Sequence, residues 1–223
     1  MVAILVILTV LVALGIDSLV LSYRTRHATR PEHAPVPMHA PEPPQGIFVD
    51  DAHAWLRITG DGRLRVGVDD FLSQALGPVQ KVEVPEPGTT VERGDPLFKL
   101  TVNGRTVAIP SPASGEIVSA NDRSLRDPAT IHTDPYGAGW IVSLFTRNHQ
   151  AAISPLLIGS EATRFLRSEF QRFADFLTPV GTSAAVPVMA DGGLPGAGAA
   201  ASLPADTWDK FVKEFVPAGP TKS

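Results

Sequence analysis

The most constraining feature of this sequence is a series of short apolar runs between Ile47 and Leu144, each ended within a few residues by Gly, Pro, Asn or Asp. Runs of this length that alternate with polar residues are typical of β-strands, and the frequent turn residues indicate antiparallel connections. The strongest signal is Lys99–Ile109, where Asn103-Gly104 lies between alternating β-formers. Asn-Gly favours a two-residue hairpin turn because both turn residues need a positive φ. The sequence therefore predicts an antiparallel β domain.

The rest of this domain follows from the same signals. Ala54–Thr59 and Leu64–Val68 flank Gly60-Asp61-Gly62 and are predicted to pair as a second hairpin. The segment from Asp69 to Gly77 is acidic at its front and ends in glycine, which predicts a short helix. The other predicted strands are Val79–Val84, Pro96–Val102, Arg105–Ile109, Gly115–Ser119 and Trp140–Leu144.

Composition excludes several classes of protein. The 223 residues contain no cysteine, which excludes disulfide scaffolds, thiolate metal sites and a cysteine nucleophile. The formal net charge is −4, so the chain has no overall cationic footprint for nucleic acid. The 21 prolines and 19 glycines exceed the usual share, which indicates that part of the chain is linker.

The first segment, residues 1–29, is predicted to be a single transmembrane helix with a basic flank. Residues 2–21 are almost entirely apolar, and twenty helical residues at about 1.5 Å each span a hydrocarbon core of roughly 30 Å. Arg24, Arg26 and Arg30 follow the run, so the positive-inside rule places the N-terminus outside and the C-terminal side in the cytoplasm. We therefore expect a single-pass protein of the bacterial inner membrane.

Asp17 lies near the inner end of this predicted helix. A carboxylate in a span usually faces protein, water or headgroups, so Asp17 could contact a partner helix or a bound cofactor, or be hydrated at the interface, and its place near the helix end favours hydration. Asp17, Arg24 and Arg26 are candidate partner contacts.

Residues 30–46 form a predicted Pro-rich strap that is extended because its prolines exclude a helix.

Residues 151–178 contain a predicted amphipathic helix that opens at Ser160 and runs to about Leu177. Its apolar face includes Phe173, a candidate partner contact, and packing on the β domain is the simpler interpretation of that face. Contact with a membrane subunit or the bilayer surface is the alternative.

The chain then continues as a predicted Ala/Gly/Pro tether over residues 179–203 and a C-terminal docking helix over residues 204–223. The docking helix has a narrow apolar stripe at helical spacing. It could lie in a partner's groove or return to its own domain, and we favour the partner. The candidate contact residues are Trp208, Phe211, Val212 and Phe215.

Six stretches in the β domain carry a family resemblance, in family order across roughly residues 50–145. They are His53-Ala54-Trp55, Val66-Gly67-Val68-Asp69-Asp70-Phe71, Ala75-Leu76-Gly77, Pro85 to Asp95, Ser111 to Glu116 and Asp134 to Trp140. The domain resembles the glycine cleavage H proteins, relatives of lipoyl and biotinyl carrier domains. The resemblance implies a mainly β fold, a lipoyl-like barrel-sandwich hybrid with short helices, here preceded by one transmembrane helix and followed by two amphipathic helices.

In that family a lysine at the tip of a β-hairpin carries a lipoyl arm between enzymes. Counting from Gly94-Asp95 and from Ser111-Pro112 without gaps places that position at Gly104 in this chain. The carrier lysine is thus predicted to be missing. The resemblance then implies the fold without carrier activity, because a fold alone does not determine a function.

Other polar residues suggest structural roles. Asp69-Asp70 precede an apolar run and are predicted to cap a helix. Asp50-Asp51 and His53 could bind a metal, but we expect them to be solvated near a strand start. We predict no catalytic residue, no metal and no bound cofactor.

These features together suggest a non-catalytic, membrane-anchored accessory or scaffold subunit that stabilises a larger integral-membrane complex, with respiratory and photosynthetic electron-transfer complexes as candidates. Its expected partners are integral-membrane subunits and the bilayer, as a hetero-oligomer without nucleic acid. The alternatives are a transport protein of the periplasmic adaptor type, which also joins an N-terminal span to a lipoyl-like domain, and a divergent carrier of acyl or aminomethyl groups.

Overall fold

The structure, a computed structural model, describes residues 38–39, 42–178 and 196–217. The predicted transmembrane helix with Asp17, Arg24 and Arg26, most of the Pro-rich strap and most of the tether lie outside the described residues. Within those ranges, no helix is both long and apolar enough to cross a membrane.

Among the residues that the structure describes, ten strands form two antiparallel sheets. Seven strands pair in the order β10-β1-β2-β3-β9-β8-β5, and three pair in the order β4-β6-β7. The strands are β1 Phe48–Val49, β2 Ala54–Ile58, β3 Leu64–Val68, β4 Lys81–Glu83, β5 Thr90–Val91, β6 Pro96–Val102, β7 Arg105–Pro110, β8 Gly115–Ala120, β9 Val142–Phe145 and β10 Leu157–Ile158. The predicted antiparallel β domain is confirmed, although three strands of two residues (β1, β5 and β10) are too short to leave a periodic signal.

Both predicted hairpins are present. In β2–β3, Ala54 lies opposite Val68 and Ile58 opposite Leu64. In β6–β7, Asn103 and Gly104 have φ angles of 47° and 74°, as a turn with two left-handed residues requires. Val102 pairs with Arg105 directly beside that turn. The turn residues therefore set the register of each hairpin.

Six helices accompany the sheets in the described ranges: α1 Asp70–Leu76, α2 Asp122–Arg126, α3 Thr130–Thr133, α4 His149–Ile153, α5 Ser160–Leu177 and α6 Ala205–Phe215, with a 3-10 turn at Ala200–Ser202. The predicted cap of α1 is confirmed, since the Asp69 carboxylate accepts a hydrogen bond from the backbone N–H of Leu72. The prediction missed α2, α3 and α4, each of five residues or fewer, because they are shorter than the apolar repeat that identifies a helix.

The helix α5 packs on the β domain, the simpler of the two interpretations of its apolar face. Phe173 is fully buried, and its ring meets Phe71 of α1 edge-on with centroids 5.8 Å apart. Phe173 is therefore a core residue in this structure and is not available as a surface contact. The buried face also explains why α5 forms, since an amphipathic helix gains most of its stability from packing.

The helix α6 returns to its own domain, which corrects the preferred interpretation of a recognition helix for a partner. Trp208, Phe211 and Phe215 are buried, and Val212 is half-buried. Phe211 stacks on Phe215 at 5.2 Å and lies 5.5 Å from Phe173 of α5. A short aromatic stripe fits its own core as well as a groove, and sequence alone could not choose between them.

Replacement of Phe211 by alanine tests this packing. Because the Phe211 side chain is fully buried, we expect Phe211→Ala to lower the free energy of unfolding by about 3–5 kcal/mol in urea titrations. Lys210→Ala, one residue earlier and exposed, serves as the control and should change it by less than about 0.5 kcal/mol. Equal stability of the two variants would contradict the docked position of α6.

Candidate functional site

The tip of the β6–β7 hairpin is exposed at the position that the resemblance assigns to the carrier lysine. A Cβ added to Gly104 would meet no heavy atom within 4 Å. The backbone N–H of Gly104 donates to the Gln80 side-chain oxygen at 3.3 Å, which ties the tip to the segment before β4. The tip is thus a fixed turn that points into open space.

The residues on either side of Gly104 contact the C-terminal part of the chain. We refer to residues 196–217 as the C-terminal clasp. The Asn103 side-chain amide donates to the carbonyl oxygen of Ala201 at 3.4 Å. Arg105 donates to the carbonyl oxygen of Leu203 at 2.5 Å, and its guanidinium carbon lies 5.5 Å from the centroid of the Trp208 ring. The clasp therefore contacts both residues that flank Gly104 in the hairpin turn.

The other end of the clasp is held against α1 by a close approach of two backbones. Gly198 N–H donates to the carbonyl oxygen of Gln74 at 2.8 Å. A Cβ on Gly77 would lie only 2.8 Å from the Gly198 Cα, so the contact needs a glycine at position 77. The Gln74 side chain also exchanges two hydrogen bonds with the backbone of His39, at 2.7 and 3.2 Å. The helix α1 thus bonds both the clasp, at Gly198, and the strap, at His39.

Beneath the helices, His53 lies fully buried between two carboxylates. Its Nδ1 is 2.8 Å from an oxygen of Asp69, and its Nε2 is 3.7 Å from an oxygen of Glu169 on α5. The ring lies against Phe71 and Phe165, with centroid distances of 4.6 and 5.4 Å. With a φ of 65°, His53 adopts a left-handed backbone that is uncommon outside glycine.

The expectation that Asp50, Asp51 and His53 are all solvated is wrong for two of the three. Asp50 and His53 are buried, while Asp51 is exposed. The Asp50 carboxylate pairs with Arg93 at 2.8 Å, and burial raises its pKa to about 6. His53 is buried because it lies between Phe71 of α1 and Phe165 of α5, and Asp50 is covered where it pairs with Arg93, which the strand pattern alone did not show. In the described part of the chain, no group of three or more His, Asp or Glu is placed to hold a metal ion.

Charged side chains in contact with one another extend from His53 to the helices α5 and α6. Burial by itself lowers the pKa of His53, but the charge and hydrogen bond of Asp69 and the nearby charge of Glu169 outweigh it and raise the pKa to about 9. Glu169 also accepts two hydrogen bonds from Arg172, at 2.5 and 2.6 Å. Arg172 reaches Glu214 of α6 at 3.3 Å. A chain of alternating charge therefore runs from the β domain through α5 to α6.

Sequence reasoning missed Glu169, Arg172 and Glu214 as members of this chain. A signal was present, because Glu169 falls beside Phe170 on the apolar stripe of α5, where a charged residue is unexpected. No comparable sequence signal indicates the contacts of Asn103 and Arg105 with the clasp, because each contact joins residues that are 98 positions apart.

Two antiparallel sheets with an exposed hairpin and short flanking helices define a small β domain of the type that the sequence motifs predicted. Residues 47–169 match the family model described as glycine cleavage H-protein, which covers more than half of the chain. The chain belongs to the glycine cleavage H-protein family.

Two curated proteins and one solved structure are similar to this chain. The chain is 30% identical over 124 residues to the probable glycine cleavage system H protein of Pyrococcus abyssi, a match that covers 56% of this chain and 92% of that protein. It is 29% identical over 130 residues to glycine cleavage system H protein 2 of Aquifex aeolicus, covering 58% and 81%. The crystal structure of a glycine cleavage system H protein from Mycobacterium marinum is 37% identical, covers 53% of this chain and 94% of that one, and has a TM-score of 0.48.

The buried histidine predicts a fall in stability at alkaline pH. Its pKa is raised in the folded state from 6.5 to about 9, so its contribution is complete below pH 6.5 and is lost as the pH rises through 9. The free energy of unfolding should fall by about 3 kcal/mol across this range, at about 1.4 kcal/mol per pKa unit. Urea titrations at a series of pH values measure this slope.

His53→Asn is the matched variant, because asparagine tolerates a positive φ and can still donate to Asp69. His53→Asn should lower the free energy of unfolding at neutral pH and reduce its dependence on pH. His149→Gln, which removes a histidine whose ring bonds the Gly62 carbonyl, should leave the slope intact. A slope that persists in His53→Asn would show that another group is responsible.

Proposed function

We propose that this chain is a member of the glycine cleavage H-protein family that acts as a non-catalytic accessory or scaffold subunit and carries no lipoyl group. The single observation that carries this proposal is the residue at the hairpin tip. Gly104, the position assigned to the carrier lysine by counting from both flanking motifs, lies in an open turn and has no side-chain amine.

The neighbours of Gly104 do not replace that amine. Arg105 has a guanidinium, which is not acylated by the amide chemistry of a carrier lysine, and it is occupied by Leu203 and Trp208. Asn103 is engaged by Ala201. Binding of the turn by the clasp supports a structural use of this hairpin in place of a swinging arm.

The membrane part of the proposal rests on the sequence. The apolar run of residues 2–21 and the arginines at 24, 26 and 30 support a single-pass anchor of the bacterial inner membrane, with the N-terminus outside and the β domain in the cytoplasm. Integral-membrane subunits are the proposed partners, in an assembly that could serve respiratory or photosynthetic electron transfer. Asp17, near the inner end of the run, is the candidate contact with a partner helix.

A divergent carrier of acyl or aminomethyl groups is the second candidate, and family membership favours it directly. Its acceptor would be Lys99, an exposed residue of β6 that lies opposite Glu83 of β4. A shallow cavity of about 220 Å³ beside these strands is lined by Glu83, Val84, Pro85 and residues 96–99, and it could hold a short arm.

Intact-mass measurement separates the two candidates. After incubation with lipoate, ATP and a lipoate ligase, we expect the wild-type chain to keep its unmodified mass. Gly104→Lys, which restores an amine to the open tip, should gain one lipoyl group and shows that the ligase is competent. A lipoyl adduct on the wild-type chain that disappears in Lys99→Arg would establish the carrier function instead.

Gentle detergent extraction followed by native mass spectrometry tests the subunit proposal. The full chain should remain in the membrane after an alkaline wash and should co-purify with other integral-membrane chains. Asp17→Leu should stay in the membrane but lose part of these partners, because it removes the one carboxylate of the span. Recovery of wild-type protein as a lone monomer would refute the proposal.

A further inference from the structure

Two arginines, the half-buried Arg57 and the exposed Arg65, lie directly opposite each other in the seven-stranded sheet. Arg57 of β2 and Arg65 of β3 are register partners in the antiparallel ladder. Like charges directly opposite in such a pair lower the stability of a sheet. We refer to Arg57 and Arg65 as the arginine pair.

Each guanidinium of the pair is held near an indole ring. The guanidinium carbon of Arg57 lies 5.9 Å from the centroid of the Trp55 ring, and that of Arg65 lies 4.9 Å from the centroid of the Trp140 ring. Trp55 is buried and donates from its indole N–H to the carbonyl oxygen of Pro135 at 3.1 Å. These cation–π contacts restrict both side chains before any ligand arrives.

Within the described ranges, no carboxylate forms an ion pair with Arg57 or Arg65. Asp61, in the turn between β2 and β3, pairs with Arg63 at 3.3 Å. The β9 residue opposite Arg65 is Ser143, which carries no charge. Among the residues that the structure describes, the positive charge of the arginine pair is therefore not balanced by a carboxylate.

From this arrangement we infer that the arginine pair is the docking site for an acidic segment of a partner protein, with one carboxylate bound between the two guanidiniums. A guanidinium matches a carboxylate with two parallel hydrogen bonds, and a single negative charge between two such groups removes their repulsion. Arginine and tryptophan are also the residue types that dominate binding energy at protein interfaces.

The observations favour a protein partner over an anionic bilayer. Each basic residue near an anionic membrane contributes about 1 kcal/mol, so a pair supplies little when the chain as a whole has a net charge of −4. A bidentate carboxylate contact needs no broad cationic patch. The inference is independent of the proposed function, because it applies to a scaffold and to a carrier alike.

The test uses the full chain in detergent and a synthetic glutamate-rich peptide as the probe, with a glutamine-rich peptide of the same length as the neutral control. Calorimetric titration should show binding of the glutamate peptide that weakens as salt increases, and no binding of the glutamine peptide. Arg57→Gln/Arg65→Gln should weaken binding by at least about tenfold, equivalent to about 1.4 kcal/mol.

Arg123→Gln/Arg126→Gln is the matched control, since it removes two exposed arginines from α2 and the same net charge. It should retain binding. Equal loss of peptide binding in both double variants would show that only net charge matters and would overturn the inference. Absence of peptide binding to the wild-type chain would also overturn it. Glycerophosphoserine, a soluble lipid headgroup, forms a further arm: if it binds at the pair and the peptide does not, a membrane contact replaces the inference.

A second readout is the thermal midpoint of the unliganded chain. In Arg57→Gln/Arg65→Gln without peptide, the loss of like-charge repulsion and the loss of the two cation–π contacts act in opposite directions, so the informative quantity is the shift of the midpoint when peptide is added. With saturating glutamate peptide the wild-type midpoint should rise and that of the variant should not. A wild-type midpoint that does not rise with peptide, or a variant midpoint that rises equally, would overturn the inference.

Discussion

The buried ion pair of His53 and Asp69 is the interaction on which the arrangement of the helices depends. One oxygen of Asp69 accepts from the first turn of α1, and the other lies 2.8 Å from His53. The Asp69 carboxylate thus holds the junction between β3 and α1 in place. It also holds the charged His53 ring that Glu169 faces from α5. A buried charge left without its partner is strongly destabilising, so each member of this group constrains the others.

The same chain of charges links the interior to the hairpin. Arg172 bonds Glu169 on one side and Glu214 on the other, so the position of α6 follows from that of α5. The helix α6 in turn places Trp208 over Arg105 at the hairpin base. Both residues that flank Gly104 are thus bonded to the clasp. The clasp therefore connects the hairpin turn to the helices that pack on the β domain.

Much of this fold could be predicted from local signals. Asn103-Gly104, the cap at Asp69 and the apolar stripe of α5 each reflect rules that operate within a few residues. The burial of His53 could not be predicted this way, because it depends on Glu169 arriving 116 positions later in the chain. The choice between a partner and its own domain for α6 failed for a related reason: the aromatic stripe specifies that a helix must be covered, but not by which surface.

The contacts of the hairpin turn cross the boundary of the family match. The family match ends at residue 169, within α5, while the clasp begins at residue 196. The clasp residues that contact Asn103 and Arg105 therefore lie outside the matched segment, whereas Gly104 lies inside it. Because Asn-Gly favours this turn by itself, the clasp is not needed to form the turn. Its contacts instead connect the turn, through α6 and the ion pair of Arg172 with Glu214, to α5.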